Sequence, residues 1–274
     1  MRWLRWGAAT GDPEGPPPPV FFVHVMKSGG TTIMRHLRET YELDQIYPSA
    51  ALDLRVAEAG LDLDHHLSVP YLQNLSAERR ARIRVYIGHF PYVARELLGP
   101  ELLAATVLRE PVERTISLLR QLTRTQPWED EPDGRRPLAT MPLEEIYEHP
   151  LVFGPLIHDH QTKIFSMTAA DDPQSYTDPI DVDAGRLELA KANVSAIDVL
   201  GTMERFDDFL DEAEARFGWQ IVRGARKNAT PDEDLTPISP TLKRRIADDN
   251  AMDLELYEHA RALVQLRRAR RTIV

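Results

Sequence analysis

The sequence predicts an α/β fold, a central parallel sheet of about four to five strands flanked by helices on both faces. Three observations carry this expectation. Short apolar, β-prone runs alternate with amphipathic helical stretches along the chain. The run Leu102 to Leu108 is nearly all apolar, as suits a strand buried on both faces. Residues 20 to 37 give a strand, a glycine turn and a helix in immediate succession.

The 274 residues, 42% of them hydrophobic, suffice for one large domain with a buried core. Residues 1 to 18 read as a flexible Pro-rich leader, and 19 to 271 as a single domain. Trp3 and Trp6 in the leader are expected to pack back on that domain. Cysteine is absent, which excludes disulfides, thiolate catalysis and Cys-ligated metals. A net charge of −10 argues against a nucleic-acid partner, so any anion site must be a local basic pocket in an acidic body. Five lysines stand against 28 arginines, a bias that fits a GC-rich bacterial genome and makes each lysine worth inspecting. No apolar run is long enough to span a bilayer, and the first residues lack a signal peptide's apolar segment. A cytoplasmic protein without an integral membrane segment is expected.

The elements follow in order. Val20 to Val25 forms the first strand, and Lys27-Ser28-Gly29-Gly30 the turn. Thr31 and Thr32 open the helix that carries Ile33, Met34 and Leu37 on its apolar side. This arrangement aims backbone N–H groups and a positive helix end at an anion. The two glycines let a phosphate approach the backbone with no Cβ in the way. Lys27 adds a mobile charge, and Ser28, Thr31 and Thr32 add hydroxyls. The Walker A pattern G-x-x-x-x-G-K-[ST] does not fit, because here the lysine precedes the glycines. His65-His66 reads as a surface pair rather than metal ligands, since adjacent side chains diverge. Ser76 caps a short helix. Residues 82 to 89 form the second strand, which Pro91 stops, leaving His89 at its C-terminal end. Ligands of open α/β sheets bind at such strand ends. Arg109 leaves the third strand at the same edge, and Pro111 starts the next helix, with Ser117 two turns down. Residues 125 to 142, with Trp128, form a long polar insert, either a disordered surface loop or a substrate-facing lid. Residues 155 to 167 read as a helix holding His158, Asp159, His160 and Lys163. A helix over 184 to 193 and a strand over 196 to 201 follow. Glu204 to Phe217 is an amphipathic helix closed by Gly218, and 219 to 222 a short edge strand. A basic loop holds Arg226 and Lys227, and one long helix over 240 to 268 ends the domain.

Three separated motifs resemble those of the sulfotransferases that use 3′-phosphoadenosine 5′-phosphosulfate. His24-Val-Met-Lys27-Ser-Gly-Gly-Thr-Thr32 resembles their 5′-phosphosulfate loop. Leu108-Arg109-Glu-Pro-Val-Glu-Arg114-Thr-Ile-Ser117 resembles their 3′-phosphate motif. The segments 200 to 210 and 253 to 257 are similar to later blocks of the carbohydrate-type branch, the relatives of heparan sulfate 6-O- and 2-O-sulfotransferases. The resemblance covers about residues 20 to 266 and implies a three-layer, P-loop-like fold with no required metal. It implies that Lys27, Ser28, Gly29, Gly30, Thr31 and Thr32 hold the 5′-phosphosulfate. Arg109 and Ser117 would hold the 3′-phosphate, with Arg226 and Lys227 closing over the nucleotide.

In those relatives a histidine in the segment before the 3′-phosphate motif acts as base, and His89 occupies that segment. Its position at a strand end points the same way. An imidazole with a reference pKa of about 6.5 suits removal of a hydroxyl proton. Lys27 is expected to stabilise the departing bridging oxygen as 3′,5′-bisphosphate nucleotide leaves. His158 and His160 are reserve bases or acceptor contacts, with Trp128 a further acceptor contact, while His24 is expected to pack within its strand. The expected acceptor is a hydroxylated small metabolite, lipid or sugar. The alternatives are a small-molecule kinase, which would need a Walker loop and a magnesium-binding carboxylate, and a non-catalytic nucleotide-binding protein, which would need no base at position 89.

Overall fold

The computed structural model describes residues 18–48, 68–99, 101–124, 138–222 and 237–272. Five strands, β1 (Val20–Val23), β2 (Ile46–Tyr47), β3 (Val85–Tyr86), β4 (Leu103–Leu108) and β5 (Val199–Thr202), form one sheet. The order is β2-β3-β1-β4-β5, and every pairing is parallel. The expected α/β architecture is therefore present. Its fifth strand is β2, on the edge beside β3.

Alternation along β1 divides the core. Phe21 and Val23 join Tyr86, Ala104, Leu108 and Leu200 on one face, under helices α7 (His160–Ser166), α8 (Ala184–Ser195) and α11 (Ala251–Thr272). Val20 and Phe22 join Val85, Ala105, Val107 and Val199 on the other. There Ile33 and Leu37 of α1 (Gly30–Thr40) and Phe209, Ala213 and Phe217 of α9 (Phe206–Phe217) cover them. The sheet is thus the middle of three layers. A satellite cluster forms where α5 (Pro111–Leu122) packs with α6 (Leu143–Glu148) and α10 (Pro240–Asp248), through Ile116, Leu119, Ile146, Tyr147, Leu242 and Ile246.

Helix ends follow their residues. Ser76 caps the helix Ala77–Arg82 by accepting from the Arg79 amide, and Glu110 caps α5 ahead of Pro111. Gly218 closes α9 in the left-handed conformation, φ 71°.

Three expectations are corrected. Residues 219 to 222 form no strand. The Gln220 and Val222 amides donate instead to Thr40 Oγ1 and His36 Nδ1 on α1, so they are not offered to a neighbouring strand. The helix expected over 155 to 167 is a π-type turn, Phe153–Ile157, then a break, then α7. The break is Asp159 at φ 42°, where its amide donates to Asn250 Oδ1. The helix expected over 240 to 268 also breaks, between α10 and α11. At that break Asn250 takes the Asp159 amide and donates back to the Ile246 carbonyl. The His65-His66 pair, residues 1 to 17 and most of the proposed lid lie outside the described residues. Among those described, no helix is long and apolar enough to cross a membrane.

Candidate functional site

The strand order reverses direction at β1. From β1 the chain runs to β2 on one side, and from β4 it runs to β5 on the other. Their carboxyl ends therefore flank the switch point, the position at which open α/β sheets bind ligands. Lys27 follows β1 and Arg109 follows β4 there, and the Arg109 guanidinium Nη1 donates to the Lys27 carbonyl at 3.1 Å. Two motifs 82 residues apart are in direct contact.

The turn after β1 is strained. Lys27 has φ 67°, a region costly for any residue with a Cβ, and Gly29 follows at φ 83°. Gly29 N-caps α1 without any side-chain bond. The first intrahelical amides, Thr32 and Ile33, both donate to the Gly29 carbonyl. Among the described residues no acceptor meets the Gly30 and Thr31 amides, so they remain available to an anion. Ser28 is buried at 1% exposure, and its Oγ has no hydrogen-bond partner among the described residues. Thr31 is exposed and Thr32 half-buried.

The two glycines have a reason the sequence did not show. A Cβ on Gly30 would lie 1.7 Å from His24 Nε2, and one on Gly29 would lie 2.9 Å from Phe206 Cε2. Side chains of the protein pack against both positions, so the glycines first serve the turn's own packing. His24 accordingly does more than pack within its strand.

The charge at this edge is positive. Burial pushes the Lys27 ammonium below the usual lysine value, and the neighbouring guanidiniums of Arg109 and Arg124 push it further. Arg109 is itself lowered by burial, against the favourable influence of Glu113, Glu204 and Glu110. Its backbone is clasped by Gln161. The Arg109 amide donates to Gln161 Oε1 at 3.2 Å, and Gln161 Nε2 donates to the Arg109 carbonyl at 3.0 Å. Ser117 is half-buried on α5. Arg114, from the same motif, is fully buried and holds the Leu156 and Ile157 carbonyls. It is a scaffold residue.

His89 reaches the same edge. Its Nδ1 is 2.9 Å from the His24 carbonyl. A carbonyl only accepts, so Nδ1 carries the proton and Nε2 of the neutral ring keeps its lone pair. The ring stacks on His24 with centroids 4.2 Å apart, and the Tyr176 ring lies 5.3 Å away. Tyr176 donates to Met26 Sδ at 2.9 Å, and burial raises its phenol to about 12. It therefore stays protonated and fixes one wall of the site.

The two reserve histidines are separated by the break at Asp159. His158 is exposed and stacks on Phe153. His160 is fully buried, with Nδ1 on the Pro155 carbonyl at 3.0 Å. Burial, with Arg114 and Lys163 close by, holds it well below the ordinary histidine value. It is neutral and sits against Tyr176, at 5.4 Å, where a soluble acceptor has no direct access. Lys163 donates to the same carbonyl at 2.8 Å, and burial brings its ammonium down to about 8.

The later blocks meet as well. Tyr257 of α11 donates to Glu204, just beyond β5, and Asp253 accepts from the Gln161 and Thr162 amides. Sequence reasoning missed Gln161, Tyr176 and Arg124. Only Gln161 carried a signal, its place beside the histidines already singled out. Arg226, Lys227 and Trp128 lie outside the described residues. Among those described, no group of three His, Asp or Glu side chains is placed to hold a metal. Among the described residues, a cleft of about 400 Å³ lies between α9 and α11, lined by Asp208, Glu212, Arg268 and Arg271 and by none of these site residues. No protein-family model matches the chain, and no curated protein matches it.

Proposed function

We propose that the chain is a sulfotransferase that moves the sulfuryl group of 3′-phosphoadenosine 5′-phosphosulfate to a hydroxyl of a small metabolite, lipid or carbohydrate. The observation that carries this reading is the contact between Arg109 and the Lys27 turn at the switch point. It joins the two motifs whose residues would have to hold the two ends of one bisphosphate nucleotide. The donor set suits that ligand: two unmet amides, the orphan Ser28 hydroxyl and an ammonium for one anionic end, and a guanidinium for the other.

Each residue then has a role. The turn and Lys27 bind the 5′-phosphosulfate. Arg109 binds the 3′-phosphate, with Ser117 as a second donor. His89 Nε2 takes the proton of the acceptor hydroxyl as that oxygen bonds to sulfur. The bond between sulfur and the bridging phosphate oxygen breaks in line, and Lys27 stabilises the charge that gathers there. Little covalent work falls to the protein, so positioning and charge carry the rate. The strained turn and the stacked His89 supply that positioning.

A thermal shift series tests the reading. Adenosine 3′,5′-bisphosphate stabilises the chain without magnesium, because it binds only the folded state. ATP with magnesium stabilising it in place of the bisphosphate would point to a kinase. Sulfate transfer from the labelled donor into a lysate, read by mass, then identifies the acceptor.

A further inference from the structure

Gln161 is 1% exposed, and its side-chain amide spends both of its ends on a single residue. Oε1 accepts from the Arg109 amide at 3.2 Å, and Nε2 donates to the Arg109 carbonyl at 3.0 Å. A primary amide pairing with both backbone groups of one residue imitates a strand neighbour. It fixes both peptide planes of Arg109, one residue beyond the point where the β4–β5 ladder ends with Leu108 opposite Thr202.

The clasp is anchored in turn. The Gln161 amide donates to Asp253 Oδ2 at 3.0 Å, and Asp253 Oδ1 accepts from the Thr162 amide and hydroxyl at 2.6 and 2.8 Å. The Asp253 amide donates to Asp159 Oδ1 at 3.0 Å, while the Asp159 amide donates to Asn250 Oδ1 at 3.1 Å. The first turns of α7 and α11 therefore cap each other with buried carboxylates. The whole assembly is buried, so Gln161 has no freedom to retreat.

We propose that Gln161 is the positioning residue for Arg109, setting the direction from which the guanidinium meets a 3′-phosphate. The inference rests on the bisphosphate reading above. Gln161 touches no substrate. It acts by holding the Arg109 backbone, so that the guanidinium is aimed before the ligand arrives.

The test compares adenosine 3′,5′-bisphosphate with adenosine 5′-monophosphate by isothermal titration, on the full chain. The ratio of the two affinities reports the 3′-phosphate contact and is insensitive to the fraction of protein folded. In Gln161→Met the preference for the bisphosphate falls about tenfold, and in an Arg109→Ala background the same substitution lowers it no further. Gln161→Asn, one methylene shorter, keeps the polarity but cannot span both groups, and shows the same loss. It serves as the readout should the methionine variant fold poorly. A variant that weakens both nucleotides equally, or keeps the wild-type ratio, overturns the positioning role and leaves the bisphosphate reading standing. A wild-type chain that binds both nucleotides alike overturns both.

Discussion

The knot where α7 meets α11 and the turn after β1 are both built from hydrophilic side chains away from bulk water, but they use them differently. In the knot Asp253, Asp159, Asn250, Gln161 and Thr162 bond to one another or to nearby backbone. In the turn the Ser28 hydroxyl is buried without a partner, Lys27 is partly buried among guanidiniums, and two amides at the start of α1 meet no acceptor among the described residues. A buried polar group left unmet destabilises the fold by about 1–3 kcal/mol, whereas a met one is close to neutral or favourable. The knot is organised for stability. The turn holds its unmet groups at the switch point of the sheet, and a ligand is what would complete them.

The contrast is broken most severely by removing the charge from the turn. Lys27→Ala is expected to lower labelled-sulfate transfer by roughly 100- to 1000-fold while leaving the melting temperature unchanged or higher. His89→Ala lowers it comparably, and transfer close to wild type in that variant would remove His89 as the base. In the knot the same kind of truncation strikes the fold. Asp253→Ala strands the donors of Gln161 and Thr162, and chemical denaturation should show a loss of about 3 kcal/mol. A loss below about 0.5 kcal/mol would mean that the knot does not hold the helices together.

These two regions were unequally legible in the sequence. The turn announced itself, because Lys27-Ser28-Gly29-Gly30 after an apolar run has few structural readings. The strands β1, β4 and β5 and the cap at Ser76 were equally plain, since period and capping are local properties. The knot was invisible. Its breaks at Asp159 and at Asn250 interrupt patterns that read as continuous helices, and each break exists because the other supplies its hydrogen bond, 91 residues away. The short strand Ile46–Tyr47 was missed for a related reason: two residues carry no period, and only pairing with β3 defines them. The glycines were read correctly as turn residues but for an incomplete reason, because the rings that fill their space arrive from His24 and Phe206.

Ser28 gives a smaller and sharper comparison. Its hydroxyl is buried and unpartnered among the described residues, so Ser28→Ala removes a group that destabilises the ligand-free fold. The variant should gain about 1 kcal/mol in denaturation experiments and bind adenosine 3′,5′-bisphosphate more weakly. The same substitution at Thr162, whose hydroxyl donates to Asp253 at 2.8 Å, should lose stability and leave the affinity alone. Opposite signs at two buried hydroxyls would confirm that the difference between the regions is one of satisfaction and not of polarity. Equal signs would refute it.

The smallest effect is a pH dependence, and its sign follows from Lys27. Burial, Arg109 and Arg124 place its ammonium below the ordinary lysine value, so it loses its proton at a lower pH than an exposed lysine would. A phosphate monoester is close to doubly ionised above pH 7, its second pKa being about 6, so the ligand's charge is steady in the window that matters. Bound bisphosphate stabilises the charged lysine and raises its pKa. Binding therefore takes up a fraction of a proton once the free ammonium begins to titrate, and affinity declines as pH rises through the lowered pKa. Titrations at pH 7 to 9.5 should show a few-fold weakening in the wild type. Lys27→Arg keeps its charge across that range and should give a flat profile. A wild-type profile as flat as the arginine variant's would place Lys27 away from the bound anion, and the turn would then have to bind through its amides and Ser28 alone.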